Sequence, residues 1–361
     1  MNAYDKLMDI VTMTILPKSE KLRQILESIV TEEEAAFLSK LSQSPFLETL
    51  DRIAGKTGLA PDQAQARLET LADKGMVYIR EKDGRKQYAR LPMFPGWAEL
   101  QLMKGGYDPQ SRKMAQLFHA YQHEGFSEKS LRLVKEPIMR TIPVGEYVPV
   151  GQVIQPYENV KELILSKKQK GLTTCFCRHE KELIGQGCGR PKDVCMTLGP
   201  FADYLIARGY ARRADNAEML EALERAEEAG LVHICDNIAE KINFVCNCCG
   251  CCCGILESVN KYDIPGVVAN SDYIIQHDPE ACINCGDCVE RCQMFALKME
   301  GDDQELKVDL KRCIGCGSCI RACEEDALAL KHRPDDDIVK PHQTYLEMGL
   351  AVAMSIQKIK K

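Results

Sequence analysis

The sequence predicts an α+β protein of several domains, and three observations support this prediction. The chain has 361 residues, which is enough for two or three domains. Its first hundred residues combine helical periodicity with one hairpin signal, and its middle mixes helix and strand patterns. Its end repeats one cysteine pattern twice. We expect domains at 1–110, 111–270 and 271–331, followed by a helical tail at 332–361.

Three helices and a hairpin are predicted near the N-terminus. Thr31 and Glu34 form a capping-box signal before an apolar run, which starts the first helix. Further helices are predicted over 45–56 and 61–74, with strands over 76–80 and 86–91 about the turn Asp83-Gly84. This order of elements resembles the winged helix-turn-helix of many small bacterial regulators.

Charge argues against DNA as the partner of this segment. The helix that would enter the groove, 62–74, carries three acidic residues against two basic ones, whereas DNA affinity comes largely from cations. The hairpin is more basic, with Arg80, Lys82, Arg85, Lys86 and Arg90. The net charge of −6 gives no global attraction to nucleic acid or to anionic membranes. The sequence therefore favours a docking or dimerisation module.

The middle of the chain is predicted to be a cysteine-rich α/β domain. An extended stretch is expected at 148–154, helices at 159–168 and 214–229, and a strand at 231–234. Two groups of cysteines interrupt this pattern: Cys175, Cys177, Cys188 and Cys195, then Cys246, Cys248, Cys249, Cys251, Cys252 and Cys253. The second group cannot lie wholly in a core, because neighbours on a helix or strand face different ways.

Thiolate clusters select iron–sulfur, zinc or copper(I). The sequence predicts one or two further iron–sulfur clusters here, with structural zinc as the alternative. Spacing leaves the ligand sets open. One partition gives each cysteine group its own site, and an interleaved partition shares both sites between the groups. His179 is interpreted as a solvated or hydrogen-bonding residue, with metal ligation as the alternative, and Cys235 as an inert packing residue.

Eight cysteines near the C-terminus form the runs Cys282-x2-Cys285-x2-Cys288-x3-Cys292 and Cys313-x2-Cys316-x2-Cys319-x3-Cys323. A shift of 31 positions superimposes Cys282 on Cys313, which indicates one supersecondary unit used twice. Strands are predicted over 296–300 and 305–309, around Gly301-Asp302-Asp303. The segment resembles the bacterial two-cluster ferredoxins.

This resemblance implies two 4Fe-4S clusters close enough for rapid one-electron transfer. In that pattern the fourth cysteine of each run reaches across to the other cluster. One cluster is then held by Cys282, Cys285, Cys288 and Cys323, and the other by Cys313, Cys316, Cys319 and Cys292. The sequence departs from the family at Gln293 and Glu324, where the ferredoxin pattern has proline.

The sequence favours a non-catalytic electron-transfer subunit of an oxidoreductase complex. No phosphate-binding loop or nucleophilic triad is present, and a protein with clusters but no organic-cofactor site relays electrons for a partner that has one. We expect a ferredoxin or flavoprotein donor, a redox enzyme as the other partner and a hetero-oligomer. As a whole, the chain resembles a group of winged-helix and ferredoxin-like iron–sulfur proteins of anaerobes, which implies anaerobic redox metabolism.

Two other functions are considered. One is a redox- or oxygen-sensing regulator with the winged helix as its output. The other is a disulfide or small-substrate reductase, because Cys248-Cys249-Gly250 and Cys252-Cys253-Gly254 resemble the signature of heterodisulfide-reductase-type subunits. The later CxxC of that signature occurs only inside the ferredoxin runs. The first 18 residues lack a secretory signal, and cluster cysteines must stay reduced, so we expect a cytoplasmic protein without membrane insertion.

Overall fold

The structure is a computed structural model that describes residues 2–12, 16–148 and 155–359. The chain forms two compact units. Unit 1 comprises 1–130, 173–188 and 200–212, and unit 2 comprises 131–172, 189–199 and 213–361. The domain boundaries at 110, 270 and 331 remain predictions. The stretch predicted to be extended, 148–154, lies outside the described residues except for Val148.

The α-helices of the described residues are α1 Ala3–Val11, α2 Glu20–Ile29, α3 Glu32–Leu38, α4 Leu50–Thr57, α5 Pro61–Asp73, α6 Ala98–Leu100, α7 Pro109–Tyr121, α8 Val160–Leu165, α9 Phe176–Leu183, α10 Gly199–Ala207, α11 Asn216–Glu228, α12 Gly254–Tyr262, α13 Asp287–Arg291 and α14 Tyr345–Ile359. The strands are β1 Val77–Lys82, β2 Arg85–Arg90, β3 Met139–Ile142, β4 Lys170–Thr173, β5 Cys195–Leu198, β6 Arg212–Arg213, β7 Val232–Asp236, β8 Phe244–Cys248, β9 Val268–Ala269, β10 Tyr273–His277, β11 Leu297–Glu300, β12 Glu305–Val308 and β13 Leu328–His332. The protein is thus a mixed helix and strand structure, as the sequence predicts.

Unit 1 contains the three helices and the antiparallel hairpin predicted near the N-terminus. The α3 helix begins with the expected capping box, in which Thr31 and Glu34 each cap the other's backbone N–H. The prediction of a helix from residue 45 is wrong, because α4 begins only at Leu50. The preceding segment pairs instead with β2: the Ser44 amide donates to the Arg90 carbonyl, and Glu48 and Tyr88 exchange backbone hydrogen bonds.

Unit 2 is built on a seven-stranded mixed sheet in the order β6-β4-β5-β8-β7-β3-β9. The pairs β5/β8, β8/β7 and β7/β3 are antiparallel, and β3/β9 is parallel. The predicted amphipathic helix is α11, with a capping box at Asp215, and the strand predicted after it is β7. The helix predicted over 159–168 is shorter, since α8 ends at Leu165.

The C-terminal cysteine runs lie in unit 2. In the sequence they fall between β10 and β13, which form a second, smaller sheet. Strands β10 and β13 pair antiparallel and bracket the β11/β12 hairpin, which lies between the two runs as predicted. A fully buried arginine on β3, Arg140, connects this region to the large sheet, since its guanidinium lies 3.6 Å from the Asp272 carboxylate and 3.5 Å from that of Glu158. The Asp272 amide also donates to Glu158 over 2.8 Å.

No helix in the described part of the chain has both the length and the apolar character needed to cross a bilayer.

Unit 2 contains a buried acid that links stability to pH. Asp236, at the end of β7, is 1 % exposed and accepts hydrogen bonds from the Asn243 amide and the Tyr345 hydroxyl. Burial raises its pKa to about 7. The folded state therefore binds more protons than the unfolded state up to about pH 7, so the free energy of unfolding falls as pH rises through this range.

We expect the Asp236→Asn variant to lose this part of the pH dependence. Since one pKa unit corresponds to about 1.4 kcal/mol, the contribution lost by the wild type between about pH 5.5 and pH 8 is roughly 2 kcal/mol. Anaerobic urea titrations at both pH values measure it. Asp335→Asn, at an exposed position, is the control. Equal slopes for the wild type and Asp236→Asn would contradict the prediction.

Candidate metal centres

The structure brings three cysteines of the first run together with the last cysteine of the second run. A cavity is lined by Cys282, Cys285, Cys288 and Cys323. The loop 282–288 supplies three of these cysteines and leads into α13. Cys323 follows a short 3₁₀ turn of the second run. We call this set of thiols the first ferredoxin site.

The second set consists of Cys292, Cys313, Cys316 and Cys319, which we call the second ferredoxin site. The thiols of Cys292 and Cys313 lie close enough to Cys316 and to Cys319 to raise their pKa values. Cys292 is the C-cap of α13, the helix that follows the loop of its own run. The grouping in space is thus crosswise between the two runs.

Glycine permits the tight course of the second loop. Gly315 has φ +71°, and a Cβ at this position would lie 2.0 Å from the Tyr273 carbonyl oxygen. The Ser271 hydroxyl donates to the Gly315 carbonyl over 2.7 Å, and the Val144 amide donates to the Cys316 carbonyl. Hydrogen bonds from Ser271 and Val144 therefore hold this loop in place.

Thiols of both sites keep their protons unless a metal binds to them. Burial raises the pKa of Cys288 to about 11 and that of Cys316 to about 12, so neither thiol ionises readily in the protein alone. A bound metal offsets this cost, because it coordinates the thiolate and displaces the proton. The sites differ in access: Cys285 is exposed, whereas no thiol of the second site is.

Gln293, one of the two departures from the ferredoxin pattern, has a structural role. It is buried, and its side-chain oxygen accepts a hydrogen bond of 3.0 Å from the Gly250 amide in the central cysteine loop. The Asn260 side chain donates to the carbonyl oxygens of both Gln293 and Gly250, over 2.9 and 3.3 Å. Proline at 293 could not accept the Gly250 amide through a side chain, so the glutamine joins the end of the first run to the central loop.

A third group of thiols in unit 2 is formed by Cys249, Cys251 and Cys252, whose sulfur atoms lie within 4.8 Å of one another. Cys251 is exposed, and the Arg190 guanidinium lies 3.9 Å from its sulfur. Such thiols form a soft donor set that fits iron–sulfur or a single zinc ion.

The other central cysteines occupy two different places. Cys195 begins β5, Cys246 and Cys248 lie on β8, and Cys253 is the N-cap of α12. Cys175 and Cys177 lie at the start of α9 in unit 1 and are not members of the group around Cys251. The partition of the central cysteines between metal sites stays a prediction.

His179 and Cys235 are both buried. His179 is fully buried, so its interpretation as a solvated residue is wrong, but its Nε2 lies 2.9 Å from the Gly106 carbonyl oxygen, in keeping with a hydrogen-bonding residue. Cys235 donates to the Asp236 carbonyl, and burial raises the pKa of its thiol. Such a thiol is unreactive, as the sequence predicts for Cys235.

Sequence reasoning missed Arg333, which lies beside the second ferredoxin site. It is 7 % exposed and donates to the carbonyl oxygens of Ser271 and Cys313, over 3.0 and 2.7 Å. Among the described residues, no carboxylate lies within salt-bridge distance of it. An arginine directly after an apolar strand gives no signal of this role, because the contact depends on the pairing of β13 with β10.

Comparison with protein families supports the iron–sulfur assignment. Residues 274–324 match the family model of the 4Fe-4S dicluster domain, and this span contains both cysteine runs. Neither the search of curated proteins nor that of solved structures found a match. Unit 2 therefore contains a ferredoxin-like 4Fe-4S region, and the cysteine group around Cys251 is a second indication of iron–sulfur redox function.

Proposed function

We propose that the protein is a multi-cluster electron-transfer protein that relays electrons between a ferredoxin or flavoprotein donor and a redox enzyme partner. The first and second ferredoxin sites each hold one 4Fe-4S cluster in this proposal. When bound, these clusters supply reversible one-electron transfer. The chain itself supplies the thiolates, their spacing, and the partial burial of the second ferredoxin site.

One observation carries the proposal: the two ferredoxin sites are adjacent but differ in access. The first ferredoxin site reaches the surface at Cys285, beside Ile283, which is 65 % exposed. The thiols of the second ferredoxin site are all half-buried, and Cys292 and Cys316 pack against the apolar core that contains the central Cys248 and Cys253. A site with an exposed thiol beside a site without one suits a protein that takes electrons from one partner and passes them to another.

The relay can be tested by redox titration of the intact, anaerobically reconstituted protein. Dithionite should reduce two clusters per chain, with electron paramagnetic resonance signals that broaden each other because the sites are close. Ferricyanide should then recover the stored electrons. A protein with a single reducible cluster contradicts the proposal. Steady consumption of electrons with glutathione disulfide, used as a probe, supports a reductase instead.

The N-terminal helices and hairpin are proposed to act as a winged-helix docking module. Some cations of α5 and the hairpin are paired within unit 1: Arg67 with Glu33 at 3.3 Å, and Lys86 with Glu69 at 2.9 Å. Lys74, after α5, lies 2.6 Å from Glu34. Paired cations offer little to phosphate, which favours a protein partner. A footprint on DNA upstream of the gene, stronger in one redox state, would support a regulator instead.

The charge of Arg333 is expected to set the potential of the cluster in the second ferredoxin site. Reduction adds negative charge, and a nearby buried cation stabilises the reduced form. We therefore predict that Arg333→Gln shifts the potential of this cluster to more negative values and leaves that of the first site nearly unchanged. Lys331→Gln, at an exposed position on the same strand, is the control. Potentiometric titration followed by electron paramagnetic resonance measures both shifts, and equal shifts for the two variants would contradict the prediction.

A further inference from the structure

Four thiols of unit 2 converge beside the second ferredoxin site. They come from three elements: Cys195 from β5, Cys246 and Cys248 from β8, and Cys253 from the start of α12. Cys246 and Cys248 are two residues apart on a strand and so share one face of the sheet. The antiparallel register pairs Met196 with Val245, and continuing it by one residue places Cys195 opposite Cys246 on that face.

The sulfur atoms of this group contact one another. The Cys248 thiol is hydrogen-bonded to those of Cys246 and Cys253, and Cys195 is close enough to influence its ionisation. Cys195, Cys248 and Cys253 are only 8, 6 and 5 % exposed, while Cys246 is half-buried. Packing alone does not require such convergence. Cys235, on the next strand, shows the ordinary pattern, because its thiol meets a backbone carbonyl.

The surroundings indicate the class of metal. Soft tetrathiolate sites take iron–sulfur clusters or zinc. Three members of this group, Cys246, Cys248 and Cys253, share an apolar core with Cys292 and Cys316 of the second ferredoxin site, and Met294 and Ile314 fill the same core. A redox centre at this position could exchange electrons with that site through packed side chains, whereas a zinc ion could not.

We propose that Cys195, Cys246, Cys248 and Cys253 hold a further 4Fe-4S cluster, separate from the group around Cys251. This proposal deepens the relay function and in part rests on it, because the shared core with the second ferredoxin site favours iron over zinc. The α12 helix contributes as well. Its N-terminus begins directly after Cys253, so its first amides and its dipole favour the negative charge of a thiolate cluster.

The test compares Cys195→Ser and Cys253→Ser with Cys235→Ser, a matched buried cysteine on the adjacent strand. Iron, sulfide and zinc are measured per chain after anaerobic reconstitution of the full-length protein. Each ligand variant should lose about four iron and four sulfide. The Cys235→Ser control should keep its iron, and no variant should lose zinc. Cys251→Ser should remove metal independently, so its loss should add to that of Cys253→Ser.

Two results overturn the proposal: full iron content in both ligand variants, or loss of zinc in place of iron. The resonance signals of the two ferredoxin sites show whether unit 2 has folded in each variant. If neither variant folds, the wild type decides, because a chain that saturates at about eight iron atoms has no room for this cluster. A third result is that the wild type binds more iron and the ligand variants lose it, but the wild type does not relay electrons. That result would contradict the proposed function and still support this cluster site.

Discussion

Replacing Cys292 by serine is expected to remove the cluster held by Cys313, Cys316 and Cys319, and to spare the one whose loop it follows. The reason is the crosswise grouping: Cys292, at the end of α13, lies close to Cys316 and Cys319 of the second run. A serine there withdraws one of the four thiolates of the second ferredoxin site. About four iron atoms per chain should be lost.

The reciprocal variant provides the control. Cys323→Ser should empty the cavity of Cys282, Cys285 and Cys288 and keep the second site. Iron and sulfide analysis gives the amount lost, and electron paramagnetic resonance shows which signal has gone. Loss of the first-site signal in Cys292→Ser would show that each run supplies all four ligands to its own cluster.

Replacing Gly250 by alanine is expected to destabilise unit 2 strongly. The added Cβ would lie 2.0 Å from the Gln293 carbonyl oxygen and 2.8 Å from the Asn260 side chain. Backbone cannot give way as a flexible side chain can, so the central loop must move away from the end of the first run. Overpacking of this kind costs about 3 kcal/mol, and here the Gly250–Gln293 hydrogen bond is lost as well.

Gly254→Ala is the matched control, because it lies in the same cysteine-rich loop and its added Cβ meets nothing within 4 Å. At the first position of α12, alanine should be neutral or slightly stabilising. Anaerobic urea titration and iron content measure both variants. Equal behaviour of the two alanine variants would show that the loop and the end of the first run are not in close contact.

Local signals in the sequence predicted the parts of the fold that depend on neighbouring residues. The capping box at Thr31, the helix predicted over 214–229 and the β11/β12 hairpin depend on residues only a few positions apart. The helix expected over 45–56 begins only at Leu50, because the segment before it pairs with β2, forty or more positions later in the chain. Such pairing competes with helix propensity and leaves no mark in the local pattern.

The same distinction applies to the metal centres. The ferredoxin runs carry their spacing in the sequence, so the loops and the crossing of Cys292 and Cys323 could be anticipated. The central cysteines could not be partitioned, because the placement of Cys195 opposite Cys246 depends on the register of β5 with β8. The sequence shows Gln293 only as a departure from the ferredoxin pattern. Its structural role could not be predicted, because its partner Gly250 lies 43 positions earlier.

The exposed position of Cys285 has a consequence for the lifetime of the protein in air. Oxygen and small oxidants reach a thiolate at the surface before they reach thiols enclosed by the chain. Damage should therefore begin at the first ferredoxin site, while the inner iron is still retained. A sample aged in air would keep much of its brown colour and yet have lost its contact with the donor, so colour alone is a poor measure of intact protein.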